Sequence, residues 1–267
     1  MRKFWNQSVK TQILSGARYI LRICERSIVR SKVTGHTTDL LNAVGEEIVM
    51  SENRDYTANR DYTLIIDKSG SMSKKDRDER KIQDEQDLKS RWELMQESTI
   101  ALASKCEKLD PDGITVYTFS KKFKRYENVT ASDVEQIFED NEPMGPTYLA
   151  EVLQDALDNY FQRKEKGETK LNGETILIVT DGAPDNKVAV AKTIIGATQR
   201  MDRDEELALS FIQIGNEKEA GDYLKFLDDQ LKETGEAKFD IVDTVTLDEI
   251  EDEGVTLKEV LLRAITD

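Results

Sequence analysis

Oxygen-bearing side chains follow a short apolar run in the segment LIIDKSGSMS, residues 64–73. Asp67 ends the apolar run, and Ser69 and Ser71 follow it on either side of Gly70. A glycine turn can bring two hydroxyl groups and a carboxylate to one point, and hard divalent cations prefer such oxygen ligands. The spacing therefore predicts a metal site at the end of a strand.

Two further oxygen donors occur later in the chain. Asp181 ends the run TILIVTD, and Thr147 follows a Gly-Pro corner and opens a predicted helix. If the two aspartate-ended strands are neighbours, their like charges are costly unless a cation shares them. We therefore predict that one divalent cation binds at Asp67, Ser69, Ser71, Thr147 and Asp181, with Mg²⁺ as the default and Ca²⁺ or Mn²⁺ as alternatives. The alternative is that Asp67 and Ser69 cap the next helix and Asp181 caps a turn.

Strands and helices alternate along the chain that positions these residues. Apolar runs of strand length, rich in Ile, Val, Phe and Tyr, occupy residues 62–67, 114–120, 175–181, 208–215 and 239–242. Capping-box pairs Ser90/Glu93 and Ser132/Glu135 open two predicted helices. Further helices are predicted at 148–165, 186–201, 218–233 and 256–266.

Continuous apolar strands separated by helices predict a mostly parallel sheet covered on both faces. Residues 121–130 follow their strand with almost no room for a helix, so we expect an antiparallel edge strand there. The predicted fold class is α/β, doubly wound and Rossmann-like, with an N-terminal helical extension. Residues 1–55 are assigned to the extension and a linker, and 56–267 to the main domain.

Composition limits the class of protein. The 267 residues are 38% hydrophobic and 34% charged, with a mean hydropathy of -0.59. No stretch approaches the roughly 20 apolar residues of a membrane span, and the N-terminus has no apolar core typical of a secretory signal. We therefore expect a cytoplasmic protein. A net charge of -15 argues against nucleic acid as a partner.

Few residues are available for other site chemistries. His36 is the single histidine, which leaves little for catalytic triads or His-rich zinc sites, and no GxxxxGK[ST] loop is present. Cys24 and Cys106 lie far apart and match no CxxC pattern. We expect both to be buried reduced thiols, with a disulfide as the open alternative.

Residues 1–33 contain eight Lys/Arg against one acid, Glu25, in a chain that is otherwise strongly acidic. Arg18 and Arg22 begin a four-residue repeat of arginines that predicts a basic amphipathic helix. Such a helix suits an anionic partner such as a membrane or RNA, or it packs on the acidic body of this chain or of a second copy. We favour packing, so a membrane partner is not expected.

A second charged segment, residues 74–91, contains seven basic and six acidic residues and almost nothing apolar. We expect a solvated loop or helix extension beside the site, with a regulatory role as the alternative.

The site motifs resemble those of the von Willebrand factor A domain family. The DKSGS run that starts at Asp67 is similar to the DxSxS motif of the family, Thr147 to its isolated threonine, and TDG at 180–182 to its distal aspartate. Together they resemble a complete metal-ion-dependent adhesion site of an intracellular, bacterial-type member. The resemblance covers residues 60–267, and it departs from the family at Pro146, where a second glycine is common.

The resemblance implies a role for each residue. Ser69, Ser71 and Thr147 would contact the metal directly, and Asp67 and Asp181 directly or through water. A carboxylate from a protein partner would complete the coordination, so the implied function is a non-enzymatic, metal-dependent interaction module.

Two other functions are kept as alternatives. One is an aspartate-based, magnesium-dependent phosphatase with Asp67 as the nucleophile, although such chemistry favours a second carboxylate where this chain has Ser69. The other is a self-assembling scaffold in which the acidic body binds the basic helix of a neighbouring copy, which would make the protein a homo-oligomer.

Overall fold

The computed structural model describes residue 57 and residues 59–76, 89–232 and 236–246. Within these residues six strands form one sheet in the order β3-β2-β1-β4-β5-β6. The strands are β1 (Asp61–Asp67), β2 (Ile114–Phe119), β3 (Phe123–Val129), β4 (Glu174–Thr180), β5 (Leu207–Gln213) and β6 (Val242–Thr246). Only the pairing of β2 with β3 is antiparallel, so the mostly parallel sheet with one antiparallel edge strand is confirmed.

Helices cover both faces of the sheet. In the described part of the chain the α-helices are α1 (Arg91–Leu109), α2 (Ala131–Glu139), α3 (Leu149–Lys166), α4 (Lys187–Arg200) and α5 (Lys218–Gln230), and short 3-10 helices occupy Gly70–Ser73 and Asp204–Glu206. Leu64 and Ile66 of β1 pack with α1 and α2, whereas Ile65 packs with the other three helices. All three side chains are fully buried, and each contributes about 1.5–3 kcal/mol to folding.

The connections place a crevice between β1 and β4. The chain leaves β1 through α1 towards β2 on one side, and it leaves β4 through α4 towards β5 on the other side. Ligands of open α/β sheets bind at such a switch point, outside the carboxyl ends of the strands. Ile66 pairs with Val179, so Asp67 and Asp181 emerge at the same edge.

Helix α2 and strand β6 begin at residues other than those that the sequence predicts. Helix α2 starts at Ala131 after the N-cap Thr130, whose backbone N–H donates to the Asp133 carboxylate at 2.9 Å, so the predicted pair Ser132/Glu135 is wrong as the cap. The pair Thr130/Asp133 has the same three-residue spacing, and only the path of the chain from β3 selects between the two. The capping box at Ser90 and Glu93 is confirmed.

The last strand comprises Val242–Thr246 rather than residues 239–242. Val242 pairs with Leu209 and Thr246 with Gln213, so hydrogen bonding to β5 decides the position of β6. Phe239 contributes an apolar side chain to the core without belonging to the strand, which is why the apolar run misled the prediction.

Several expectations concern other parts of the chain. The basic helix within residues 1–33 and the helix at 256–266 lie outside the described residues, as does Cys24. Cys106 is a buried free thiol, as predicted. Among the helices of the described segments, none combines the length and the apolar character that crossing a bilayer requires.

A backbone contact near the start of β4 generates a stability prediction. Gly173 has φ +82°, and a Cβ atom there would lie 1.9 Å from the carbonyl oxygen of Glu206. We expect Gly173→Ala to lower the free energy of unfolding by about 3 kcal/mol or more, because backbone atoms must move to relieve the clash. Gly167→Ala is the matched control, since Gly167 has φ +72° but open space around its Cα. It should cost only about 1 kcal/mol. Equal denaturation midpoints for the two variants would contradict the contact.

Candidate metal centre

Four of the five predicted ligands form one continuous chain of hydrogen bonds. The Asp67 Oδ1 atom accepts from the backbone N–H of Ser69 at 2.7 Å, and the hydroxyl oxygens of Ser69 and Ser71 lie 3.0 Å apart. Ser71 then donates from Oγ to the Asp181 Oδ1 atom at 2.8 Å. The two strand ends therefore meet, as predicted, through the turn at residues 69–71, which we call the serine turn.

The turn that carries the serines is fixed by its neighbours. The backbone N–H of Lys68 donates to the carbonyl of Phe119 at 2.8 Å, which continues the contact between β1 and β2. The Gly70 N–H donates to the carbonyl of Gly145 at 2.9 Å, and the Met144 N–H donates to the carbonyl of Lys68 at 2.8 Å. These bonds hold the serine turn against the loop that leads into α3.

Thr147 lies on that second loop, directly before α3. It lines a cavity of about 690 Å³ together with Ser71 and Asp181. Its backbone N–H donates to the Asp185 carboxylate at 2.5 Å, and the Asp185 N–H donates back to the Thr147 carbonyl at 3.2 Å. Asp185, which sequence reasoning missed, therefore fixes the position of the threonine relative to the loop after β4.

An arginine completes the charge pattern of the site, and sequence reasoning missed it too. Arg91, the first residue of α1, is only 1% exposed and donates from Nη1 to the Asp181 Oδ2 atom at 2.7 Å. Its Nε and Nη2 atoms donate to the Asp76 carboxylate at 2.5 and 2.7 Å. The expectation that residues 74–91 are solvated is therefore wrong at Arg91. No local signal identified it, because Glu93 in the same helical turn is exposed.

The two aspartates are stabilised by different means. Asp67 is fully buried, and its Oδ2 atom accepts from the Thr180 hydroxyl at 2.6 Å. Burial raises the pKa of Asp67 to about 7, hydrogen bonds from Thr180 and Ser69 oppose that rise, and the charge of Asp181 adds to it. Asp67 thus receives only neutral donors, whereas Arg91 neutralises Asp181. The hydrogen bonds to Asp76 in turn raise the pKa of Arg91 despite its burial, so its charge is retained.

The capping alternative accounts for only one contact. Asp67 accepts the N–H of Ser69, as a turn residue does. Ser69 precedes the 3-10 helix Gly70–Ser73 but makes no capping bond with its side chain. Asp181 accepts from the side chains of Ser71 and Arg91. Caps alone therefore leave the convergence of these oxygens unexplained.

The donor set fits a hard divalent cation. In the described segments no three His, Cys, Asp or Glu side chains lie close enough together to hold a metal, so a site made of those residue types alone is absent there. The candidate centre instead combines two carboxylates with three hydroxyls, all oxygen donors of the kind that Mg²⁺, Ca²⁺ and Mn²⁺ accept.

The chain was compared with known proteins by sequence. Residues 62–183 match the family model described as von Willebrand factor type A domain, and that range contains all five predicted ligands. A comparison with curated proteins found no match.

The chain is similar to solved structures at low sequence identity. The D319A mutant of the PilB minor pilin from Streptococcus sanguinis is similar at 13% identity with a TM-score of 0.50, over 79% of this chain and 60% of the pilin. The manganese-loaded Plasmodium vivax TRAP protein is similar at 15% identity with a TM-score of 0.48, over 76% of this chain and 74% of that one. The chain thus spans three fifths of the pilin length, and the likeness to the pilin concerns the fold alone.

The raised pKa of Asp67 predicts how stability depends on pH without metal. Its pKa rises from 3.8 to about 7 on folding, so the folded protein binds more protons between these values. The free energy of unfolding should therefore fall as pH rises from 5 to 8 in EDTA, with Asp67 contributing at most about 4 kcal/mol over its full titration. Asp67→Asn, which removes the titration, should lose less stability over the same range. Denaturant unfolding at both pH values measures this, and identical pH dependence in the two proteins would contradict it.

Proposed function

We propose that this chain is a non-enzymatic protein-interaction module that depends on a divalent cation bound at Asp67, Ser69, Ser71, Thr147 and Asp181. The observation that carries the proposal is the hydrogen-bonded chain from Asp67 to Asp181. The match of residues 62–183 to the von Willebrand factor type A domain supports it, because the motif positions lie within the match. We further propose that the five residues form a complete metal-ion-dependent adhesion site.

The five residues supply two kinds of ligand to the cation. The three hydroxyls supply neutral ligands, and the two carboxylates supply the charge that attracts Mg²⁺ or its alternatives. When bound, the cation supplies a positive centre that attracts a carboxylate of a partner protein. Asp67 also keeps the serine turn closed through the N–H of Ser69, and Thr180 orients the Asp67 carboxylate.

Exposed apolar side chains around the site indicate what else the partner contacts. We call them the apolar rim: Phe123, Met144, Tyr148 and Val188, which are 38%, 58%, 39% and 64% exposed. Met144 and Tyr148 lie on the loop of Thr147, Val188 lines the cleft, and Phe123 begins β3 beside the end of β2. A partner that presents an acidic side chain flanked by apolar residues fits this arrangement.

The geometry does not favour the phosphatase alternative. A nucleophilic aspartate must reach its substrate, but Asp67 is fully buried and both of its oxygens accept hydrogen bonds.

The self-assembling scaffold depends on the basic helix within residues 1–33, which lies outside the described residues, and it stays a prediction. We propose a cytoplasmic location on the sequence grounds given above.

Two serines of one short helix test the metal site. Ser71 donates to Asp181, whereas the hydroxyl of Ser73 donates to the carbonyl of Gly70 at 2.8 Å and is not part of the chain of ligands. Ser71→Ala should weaken Mg²⁺ or Mn²⁺ binding by about tenfold or more in calorimetric titrations, since a ligand oxygen is lost. Ser73→Ala should stay within about twofold of the unmodified protein.

The outcomes of these titrations decide the proposal. Equal losses in the two serine variants would place the cation elsewhere. The absence of Mg²⁺, Ca²⁺ and Mn²⁺ binding by the unmodified, metal-stripped protein would overturn the metal-dependent function.

A second pair of variants tests the partner surface. Met144→Ser should reduce capture of a partner from a lysate in Mg²⁺ by about tenfold while leaving metal affinity unchanged, because an apolar contact is lost. Leu171→Ser is the matched control, since Leu171 is 74% exposed but precedes β4 at the opposite edge of the sheet. Quantified pull-downs in Mg²⁺ and in EDTA measure both. A partner that is retained in EDTA, or lost equally with Leu171→Ser, would contradict the proposed surface.

A further inference from the structure

Arg91 binds three carboxylates from three separate parts of the chain. Asp181 follows β4, Asp76 follows the serine turn, and Glu217 precedes α5 and lies 3.2 Å from the Arg91 Nη2 atom. The guanidinium is almost fully buried among these acids. A single side chain therefore connects the distal aspartate of the candidate site to the loops on either side of it.

Backbone geometry holds the guanidinium in this position. The Arg91 N–H donates to the carbonyl of Lys74 at 2.9 Å, which places the segment of Asp76 beside the start of α1. A Cβ atom on Gly215 would lie 2.8 Å from the Asp76 Oδ2 atom and 2.9 Å from the Arg91 Nε atom. The loop after β5 thus leaves just enough room for the Arg91–Asp76 pair. The contact is part of the fold and differs from a surface ion pair, which is solvated and weak.

The network of hydrogen bonds and ion pairs that includes Arg91 has a net negative charge. It contains four carboxylates and two cationic side chains, which leaves a net charge of -2 when all are ionised: Asp67, Asp76, Asp181, Glu217, Lys74 and Arg91. Removing Arg91 would change this charge to -3. Because Coulomb attraction scales with charge, Arg91 weakens the attraction of the site for a cation. The same charge lowers the cost of burying Asp181 when no cation is bound.

We propose that Arg91 is the internal counter-ion of the metal site, so that it keeps the metal-free fold stable and limits the affinity for the cation. This inference rests on the proposed function, since it concerns the same five ligands. The site then exchanges its cation readily and remains folded in either state. Such a site suits reversible binding, in which the carboxylate of the partner adds the missing affinity.

Thermal unfolding in EDTA tests the first half of the proposal without any metal. Arg91→Met should lower the melting temperature by about 10 °C, because Asp76 and Asp181 lose a buried partner. Adding Asp181→Asn to that variant should recover part of the loss, and Arg91→Lys should lose less because the charge is retained. Arg91→Gln, which keeps an amide donor for Asp181, replaces the Met variant if the latter does not fold. A double variant no more stable than Arg91→Met would show that Arg91 does not neutralise Asp181.

Calorimetric titration with Mn²⁺ and with Mg²⁺ tests the second half. Arg91→Met or Arg91→Gln should bind the cation about tenfold more tightly than the unmodified protein, and Arg91→Lys within about threefold of it. Arg60→Met is the matched control. Arg60 is also fully buried, but it precedes β1 at the opposite edge of the sheet, where it donates to the Thr175 hydroxyl at 2.6 Å. It should lower the melting temperature and leave cation affinity unchanged.

Each result of the titration either supports or overturns the inference. Unchanged or weaker binding in the neutral Arg91 variants would overturn the inference, because the guanidinium would then position the ligands rather than oppose the cation. The same gain in Arg60→Met would show a non-specific effect of lost stability and would overturn it as well. No binding by any protein, including the unmodified one, would overturn the proposed function and the affinity half of the inference. The melts in EDTA would still decide whether Arg91 neutralises Asp181.

Discussion

The parallel pairing of β1 with β4 is the constraint on which the site depends. It places the carboxyl ends of two buried strands side by side, so that Asp67 and Asp181 emerge at one edge of the sheet. Carboxylates in such a position repel each other, and each needs donors or a cation. The serine turn, the threonine loop and the start of α1 all meet this need at the same edge.

The protein stabilises its two strand-end carboxylates unequally. Asp67 is held by a hydroxyl and a backbone N–H, which are neutral, so burial leaves its pKa near 7. Asp181 is held by a guanidinium and a hydroxyl. The two residues therefore have different structural roles. Asp67 fixes the turn that carries Ser69 and Ser71. Asp181 connects the site to Arg91 and the loops beyond it.

The candidate ligands and exposed apolar side chains lie at the same edge of the sheet. Four exposed large apolar side chains form the apolar rim near the candidate ligands, whereas Leu171 is exposed at the far edge of the sheet. The far edge holds partly buried ion pairs such as Arg163 with Asp61 and Glu174, which connect the first residues of β1 and β4. Ion pairs thus stabilise both edges of the sheet, and the carboxyl edge also holds the candidate ligands and the apolar rim.

The sequence by itself determined the elements and the candidate ligands. Apolar runs of strand length, the cap at Ser90 and the spacing around Asp67 are local properties. A short stretch of sequence is enough to predict them, because they depend on local steric and hydrogen-bonding preferences. Tertiary structure alone decided the rest. The N-cap of α2 at Thr130 and the position of β6 depend on pairing with distant strands. The role of Arg91 depends on loops far apart in the chain, and nothing in the local run of charged residues predicts that this arginine is buried.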